Sequence, residues 1–187
     1  MRDFIKNYIA DSISTKEKIF ADEQLQTTIA EAAKAIINAY KNDKKILTAG
    51  NGGSAADAQH IAAEFVSKFL QERPAMSAIA LNTNTSILTS IGNDYSHDLV
   101  FARQVQAHGR EGDVFIAITT SGLSKNILKA VEEAKSRKMI VIGLTGANVT
   151  SMDEMCDYIL KIPSKLTPVI QESQIMIAHI LCALVEG

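Results

Sequence analysis

Two residues have the types and the spacing of a titratable pair. His60 and Glu64 lie four positions apart, with Asp57 three positions earlier. On an α-helix, His60 and Glu64 project from the same face. An imidazole and a carboxylate placed in this way either chelate a divalent metal or perform general acid–base chemistry. An isolated pair is more often an ordinary surface pair, so the interpretation depends on the surrounding sequence.

A glycine-rich segment lies directly before this pair and strengthens a functional interpretation. The segment Gly50–Ser54 follows the apolar run Ile46–Ala49. Glycines let backbone N–H groups approach an anion, and Ser54 is expected to begin and cap the next helix. The glycine spacing differs from those of dinucleotide-binding and P-loop motifs. The segment therefore predicts a turn that binds some other anionic ligand, with a tight turn of purely structural importance as the alternative.

A second segment, Thr119–Ser124, contains four hydroxyl side chains and a glycine between a predicted strand and a predicted helix. Hydroxyls and N–H groups at a helix N-terminus suit a phosphate, which the helix dipole also favours. The turn contains no Arg or Lys, which favours a phosphomonoester such as a sugar phosphate over a polyphosphate. The alternative is that Ser124 is only a helix N-cap and that the other hydroxyls are solvated.

One histidine stands alone in an apolar segment near the end of the chain. Apart from the thiol of Cys182, His179 is the only ionisable residue between Ile175 and Val185. A buried imidazole needs a hydrogen-bond partner or a metal, and a satisfied core histidine is the more common case. Gln171 lies eight positions earlier, about 12 Å along a helix axis. The two side chains would share one ligand atom only by reaching toward each other, which spacing neither requires nor excludes.

The elements that position these residues follow from the periodicity of apolar residues. Three- and four-residue spacing predicts two helices over about 2–42, the second beginning near 22. Beyond them, short apolar strands alternate with single helices, which predicts a doubly wound α/β fold with a mainly parallel five-stranded sheet and helices on both faces. The predicted strands are Lys45–Ala49, Ser77–Leu81, Asp113–Thr119, Met139–Thr145 and Tyr158–Ile162, and the helices 54–70, 85–92, 97–108, 124–137, 151–156 and 168–185.

The length of 187 residues suits a single domain. We divide it into an N-terminal helical extension, 1–43, and an α/β core, 44–187. The two N-terminal helices have no sheet partner in sequence, so we expect them to contact another subunit. Ligands of doubly wound folds bind at the carboxyl ends of the strands, where both polar turns are predicted to lie.

Composition excludes several classes of partner. The net charge is −2 and no basic run occurs, which argues against nucleic acid. No apolar run reaches the roughly 18 residues of a membrane span, and the first residues do not resemble a secretory signal. Cys156 and Cys182 have no close spacing. We therefore expect a cytoplasmic protein that binds neither membrane nor nucleic acid.

Several motifs together resemble the phosphoheptose isomerases of the sugar isomerase (SIS) fold. They are GNGGSAADAQHIAAE, ERPAMSAIAL, IGND, GREGDVFIAITTSGLS, GLTG, IQES and AHILCALVE, and they extend over nearly the whole chain. The resemblance implies conversion of sedoheptulose 7-phosphate to D-glycero-D-manno-heptose 7-phosphate through an enediol or enediolate. This reaction is the first step toward the ADP-heptose of bacterial surface polysaccharide. The resemblance also implies a cytoplasmic homotetramer, with zinc in some members.

The resemblance assigns roles to individual residues. Glu64 matches the base and His179 its acid partner, while His60, Glu64, Gln171 and His179 match the zinc ligands of metal-bound relatives. Glu64 and His179 thus receive both an acid–base role and a zinc-binding role, and these two roles alternate or are shared. Implied substrate contacts are Asn51, Gly52, Gly53, Ser54, Asp94, Thr119, Thr120, Ser121, Ser124 and Gln171. Two positions depart from the family's pattern, since Lys68 and Val169 stand where relatives often have Arg.

Two other functions remain open from the sequence. A relative on the same fold binds the bacterial replication initiator DnaA and has no acidic or imidazole group at the positions of Glu64 and His179. Both groups are present in this chain, which favours an enzyme. The second alternative is an isomerase of another phosphosugar, such as arabinose 5-phosphate. The absence of an added regulatory module argues against it.

Overall fold

The computed structural model describes residues 1–187 and contains one sheet of five parallel strands. In sheet order the strands are β2 (Ala78–Ala80), β1 (Ile46–Ala49), β3 (Val114–Ile118), β4 (Ile140–Thr145) and β5 (Tyr158–Lys161). All four strand pairings are parallel, so the sheet predicted as mainly parallel is entirely so. The five predicted strands are confirmed, each within one residue at either end.

Helices cover both faces of the sheet. They are α1 (Arg2–Ala21), α2 (Glu23–Lys41), α3 (Gly53–Val66), α4 (Thr85–Asp94), a 3₁₀ helix (His97–Leu99), α5 (Ala102–His108), α6 (Lys125–Ser136), α7 (Met152–Met155) and α8 (Thr167–Glu186). Successive side chains of a strand point to opposite faces. Accordingly, Ile116 of β3 packs in the core beneath α2, α3 and α8, whereas its neighbour Phe115 packs in the core beneath α4 to α7.

Helix α3 is shorter than predicted, because it ends at Val66 rather than at residue 70. The backbone N–H groups of Phe69, Leu70 and Gln71 donate to the carboxylate of Glu186 instead of to helical carbonyls. A partner distant in sequence therefore ends a helix that the local pattern would continue. The predicted helix over 97–108 is likewise divided, into the 3₁₀ helix and α5.

Helix α8 is long and apolar enough, by length and composition alone, to cross a membrane. Half of the apolar segment of α8 that is long enough for a span is nevertheless buried inside the protein. The helix packs against α1, α2 and α3. Core residues such as Ile177 and Leu181 lie on its buried side. The helix is therefore the central core helix on its face of the sheet.

Strands β1 and β3 lie side by side although β2 lies between them in the sequence. The strand order reverses at this point, and such switch points form the ligand crevice in doubly wound folds. The glycine-rich turn follows β1 and the hydroxyl-rich turn follows β3. The topology therefore brings both predicted ligand turns to one place, at the carboxyl edge of the sheet.

The glycine-rich turn tolerates no side chain at its first position. A Cβ atom on Gly50 would lie 2.3 Å from the backbone oxygen of Ser54, well inside van der Waals contact. Gly52 has a φ of +57°, which favours glycine. By contrast, Gly92 on α4 has open space where a Cβ would be.

We predict opposite effects of one substitution at two glycines. Gly50→Ala should lower the free energy of unfolding by about 1–3 kcal/mol, because the backbone of Ser54 has to move. Gly92→Ala should raise it by about 0.5–1 kcal/mol, since alanine loses less conformational entropy in a helix. Urea denaturation of both variants measures the two changes. A Gly50→Ala variant as stable as the wild type would show that the turn is loosely packed.

Candidate active site

Three titratable side chains from two helices converge beside the switch point. The Nε2 atom of His60 lies 3.1 Å from Oε1 of Glu64, one turn further along α3. The same Nε2 atom lies 3.0 Å from Nε2 of His179 on α8. The side chain of His60 is 48% exposed and that of Glu64 is 19% exposed, so the cluster opens to solvent on one side. A ligand entering from that side would meet all three groups.

The donor atoms of this cluster fit a divalent metal. One ligand atom from each of His60, Glu64 and His179 lies within 4.8 Å of the other two. Two imidazole nitrogens and a carboxylate oxygen form a donor set typical of catalytic zinc, which leaves a coordination position for water or substrate. The two nitrogens at 3.0 Å are close enough to bind one ion.

Gln171 and Asp57 lie beside the cluster, where α8 packs against the start of α3. The carboxamide of Gln171 occupies the space in front of Gly53, and a Cβ there would be 2.3 Å from its oxygen and nitrogen. Burial raises the pKa of Asp57, while the nearby Gln171 carboxamide and the imidazoles of His60 and His179 act to lower it. The carboxamide of Gln171 and the imidazoles of His60 and His179 therefore lie around the carboxyl group of Asp57.

Asp57 lies in the site although the family resemblance assigns it no role. It is 8% exposed, and its Oδ2 atom has no hydrogen-bond partner. A buried polar atom without a partner is costly, and such atoms are common where a ligand, water or ion binds. The signal in the sequence was its position three residues before His60 on the same helix.

Three hydroxyls of the second turn form a cluster. The Oγ1 atom of Thr119 lies 3.0 Å from Oγ of Ser124 and 3.3 Å from Oγ of Ser121, while Ser121 also accepts from the N–H of Leu123. Ser124 occupies the N-cap position of α6, but its side chain makes no capping hydrogen bond. Its hydroxyl is therefore directed to the cluster, which favours the phosphate-binding interpretation over simple capping.

Thr120 contributes to the turn through its backbone. Its carbonyl oxygen accepts from the N–H of Gly146, which follows β4. Gly122 has a φ of +70°, and the side chain of Thr150 packs against it where a Cβ would lie. The loop after β4 thus supports the hydroxyl-rich turn from one side.

The two ligand turns are joined by a pair of carboxamides. Asn51 donates to Oδ1 of Asn126 at 2.8 Å, and Asn126 donates back to Oδ1 of Asn51 at 2.9 Å. Asn126 is 3% exposed and lies in the first turn of α6, and Nδ1 of His97 lies 3.5 Å from its amide nitrogen. The prediction from the sequence missed Asn126, because nothing in its spacing connects it with Asn51.

Ser54 does not cap α3, contrary to the prediction. The helix begins one residue earlier, at Gly53, with Gly52 at the N-cap position and no side-chain cap. Ser54 is instead buried in the first turn of the helix. The glycines allow the backbone to enter the helix early, so α3 begins without a capping side chain.

Comparison with known proteins identifies the family. The model of the SIS domain family matches residues 7–146. The chain is 59% identical to phosphoheptose isomerase 2 of Campylobacter jejuni over 186 residues, which cover 100% of this chain and 92% of the relative. The chain belongs to the phosphoheptose isomerases. A second relative, the phosphoheptose isomerase of Aneurinibacillus thermoaerophilus, is 58% identical over 100% of this chain and 94% of its own.

A solved phosphoheptose isomerase has the same fold. The structure of the enzyme from Neisseria gonorrhoeae superposes with a TM-score of 0.92 at 41% sequence identity, covering 99% of this chain and 98% of the other. The match includes α1 and α2 as well as the sheet. The predicted SIS fold with its N-terminal helices is therefore confirmed.

Three positions named by the resemblance to the phosphoheptose isomerases lie outside the cluster of His60, Glu64 and His179. Asp94 ends α4, is exposed, and its only side-chain hydrogen bond is with Asn93, so it is not hydrogen-bonded to either turn. The IGND segment, Ile91–Asp94, forms the end of this helix. Lys68 forms an exposed ion pair with Glu72, and Val169 is fully buried in the first turn of α8.

Proposed function

We propose that this site interconverts sedoheptulose 7-phosphate and D-glycero-D-manno-heptose 7-phosphate, the first step toward ADP-heptose for bacterial surface polysaccharide. Membership of the phosphoheptose isomerases makes the chain a phosphosugar isomerase. The observation that supports the proposal best is the convergence of Glu64 and His179 beside Gln171, which packs against Gly53 of the glycine-rich turn. Both groups are those that an aldose–ketose isomerase needs, whereas a sugar-binding protein on this fold has no use for them.

The proposed reaction moves protons between adjacent carbons and oxygens of the sugar. Glu64 removes a proton from C1 of the ketose, and His179 donates a proton to the C2 oxygen, which gives an enediol. His179 then accepts the proton of the C1 oxygen while Glu64 returns its proton to C2. The product is the aldose, and both residues regain their initial state.

The hydroxyl-rich turn anchors the phosphate in this proposal. Thr119, Ser121 and Ser124 offer hydroxyls at the N-terminus of α6, whose dipole favours an anion. The pairing of Asn51 with Asn126 joins the start of α6 to the glycine-rich turn. Binding energy from the phosphate thereby positions the distant C1 and C2 atoms against Glu64 and His179.

Zinc is the metal that we propose for the histidine–glutamate cluster. His60, Glu64 and His179 would hold it, with Gln171 as a fourth ligand from the same crevice, and Glu64 and His179 would alternate between binding the metal and transferring protons. The chemistry that a bound zinc ion supplies is polarisation of the substrate carbonyl and stabilisation of negative charge on oxygen.

We also propose that the protein is a cytoplasmic homotetramer. Helix α1 exposes a row of apolar side chains, namely Phe4, Ile5, Tyr8, Ile9, Ile13 and Phe20. An apolar groove of about 400 Å³ lies where α1, α2 and α8 meet. Exposed apolar area of this extent is typical of subunit contacts. The two cysteines are unpaired, as expected in a reducing compartment.

Glu64→Gln should reduce the kcat for sedoheptulose 7-phosphate by at least about 100-fold, because the amide cannot accept the C1 proton. The fold and the affinity for the sugar phosphate should change little, since the side chain keeps its shape. Turnover is followed by conversion of ketose to aldose, and affinity by isothermal titration calorimetry.

Two variants serve as comparisons for this test. Glu72→Gln, in an exposed ion pair with Lys68, should leave both constants unchanged. Ser124→Ala should raise KM and lower kcat far less than Glu64→Gln does, because it removes one of three hydroxyl donors to the phosphate and leaves the base in place. Full activity in Glu64→Gln would refute the assignment of the base, and an inactive wild type would refute the proposed substrate.

Removal of metal should also lower activity. Treatment with a chelator should reduce the kcat by about tenfold or more, and stoichiometric Zn²⁺ should restore it. His60→Gln should weaken zinc binding in a direct titration, because one imidazole donor is lost. Equal activity with and without chelator would contradict a role for zinc.

The proposed tetramer predicts a solution mass of four chains. Multi-angle light scattering of the purified protein measures that mass. Replacing the two exposed residues Ile9 and Ile13 by Glu should reduce it, because charge cannot be buried in an apolar contact. A monomeric wild type at assay concentration would be inconsistent with the proposal.

A further inference from the structure

One carboxylate joins the ends of α3 and α8, the two helices that contain the candidate catalytic residues. Glu186, the last residue of α8, accepts backbone hydrogen bonds from Phe69 at 2.6 Å, Leu70 at 2.6 Å and Gln71 at 3.0 Å. Its side chain is only 1% exposed. Three N–H donors to one buried carboxylate are strong, charge-assisted hydrogen bonds. They hold the segment that follows α3 against the end of α8.

Arg73 completes this connection from the opposite side. Its Nε atom donates to Oε1 of Glu186 at 3.0 Å, and its two terminal nitrogens donate to the carbonyls of Phe65 and Glu64, each at 2.8 Å. These carbonyls belong to the last turn of α3, where they lack helical partners. The guanidinium therefore caps the helix and binds the backbone of Glu64 itself.

The segment held in this way places an aromatic ring on His179. The rings of Phe69 and His179 are nearly parallel, at an interplanar angle of 24° and a centroid separation of 5.2 Å. The only hydrogen bond of the imidazole is with His60. In most sites of this kind, a hydrogen bond to the other ring nitrogen fixes the imidazole. Here the imidazole has no such bond, and the ring of Phe69 is the group stacked on its plane, while the ring of His60 meets it edge-on.

We propose that Phe69 is a positioning residue, which holds the imidazole of His179 in the plane that directs Nε2 toward His60 and Glu64. Glu186 and Arg73 fix Phe69 by binding the backbone around it. The inference deepens the proposed function, since it concerns the orientation of the proposed acid. Phe69 itself transfers no proton in this proposal, but its ring sets the orientation of the imidazole that does.

A purely structural role for Phe69 makes a different prediction. Phe69 is partly buried against the core, so its replacement would lower stability in any case. A packing defect reduces the fraction of folded protein and leaves the kcat of folded molecules unchanged. A misaligned imidazole lowers kcat in fully folded protein, because small displacements of a catalytic group are costly.

The test replaces the ring and keeps the apolar bulk. Phe69→Leu should lower the kcat for sedoheptulose 7-phosphate by about tenfold with KM within twofold, and should weaken Zn²⁺ binding to the metal-free protein by about tenfold. Phe69→Tyr, which retains a planar ring, should restore both within twofold. Phe101→Leu is the matched control: it makes the same change in the core on the opposite face of the sheet and should lower only the melting temperature.

A double-mutant comparison tests the role of Glu186. Glu186→Gln should also lower kcat. Adding it to Phe69→Leu should produce little further loss, because both changes release the imidazole of His179 from the ring of Phe69. Unchanged kcat and zinc affinity in Phe69→Leu would overturn the proposal, as would equal losses in Phe101→Leu. A wild type that binds Zn²⁺ without converting the sugar would refute the proposed function, and zinc affinity would still decide the role of Phe69.

Discussion

The packing of α3 against α8 is the contact on which the site depends. The two helices are separated by about a hundred residues of sequence, and their facing sides contain His60, Glu64 and His179. At one end of the contact, Gly53 has no side chain and so leaves room for the carboxamide of Gln171. At the other end, Glu186 binds the segment after α3. With both ends fixed, the donor atoms between them are held in a single arrangement.

The polar groups of the crevice differ in how completely they are satisfied. Asn51 and Asn126 satisfy each other through two hydrogen bonds, and this pair locks the two turns together. Asp57, in contrast, has a buried oxygen with no partner, next to the open cluster. The contrast separates the framework of the site from its reactive part. Saturated groups maintain the shape of the crevice, and unsatisfied ones remain where a ligand or solvent is expected to bind.

The sequence predicted the fold well because its signals are local. Short apolar strands separated by single helices specify a parallel sheet, and β1 to β5 were found as expected. The end of α3 could not be predicted, since it is decided by Glu186, more than a hundred positions away. The N-cap assigned to Ser54 was wrong, because consecutive glycines allow the helix to begin at Gly53. Local patterns identify elements, but contacts between elements decide where they end.

The same limit applies to the site. The spacing of His60 and Glu64 indicated a shared helix face, but nothing in the spacing placed His179 within 3.0 Å of His60. Glycine and hydroxyl turns alone would serve any protein that binds a sugar phosphate on this fold, since a fold does not determine a function. Catalysis needs, in addition to these turns, a carboxylate that can accept a proton beside an imidazole. Glu64 therefore decides the chemistry, and its position is set twice over, by its own helix and by the guanidinium of Arg73 on its backbone carbonyl.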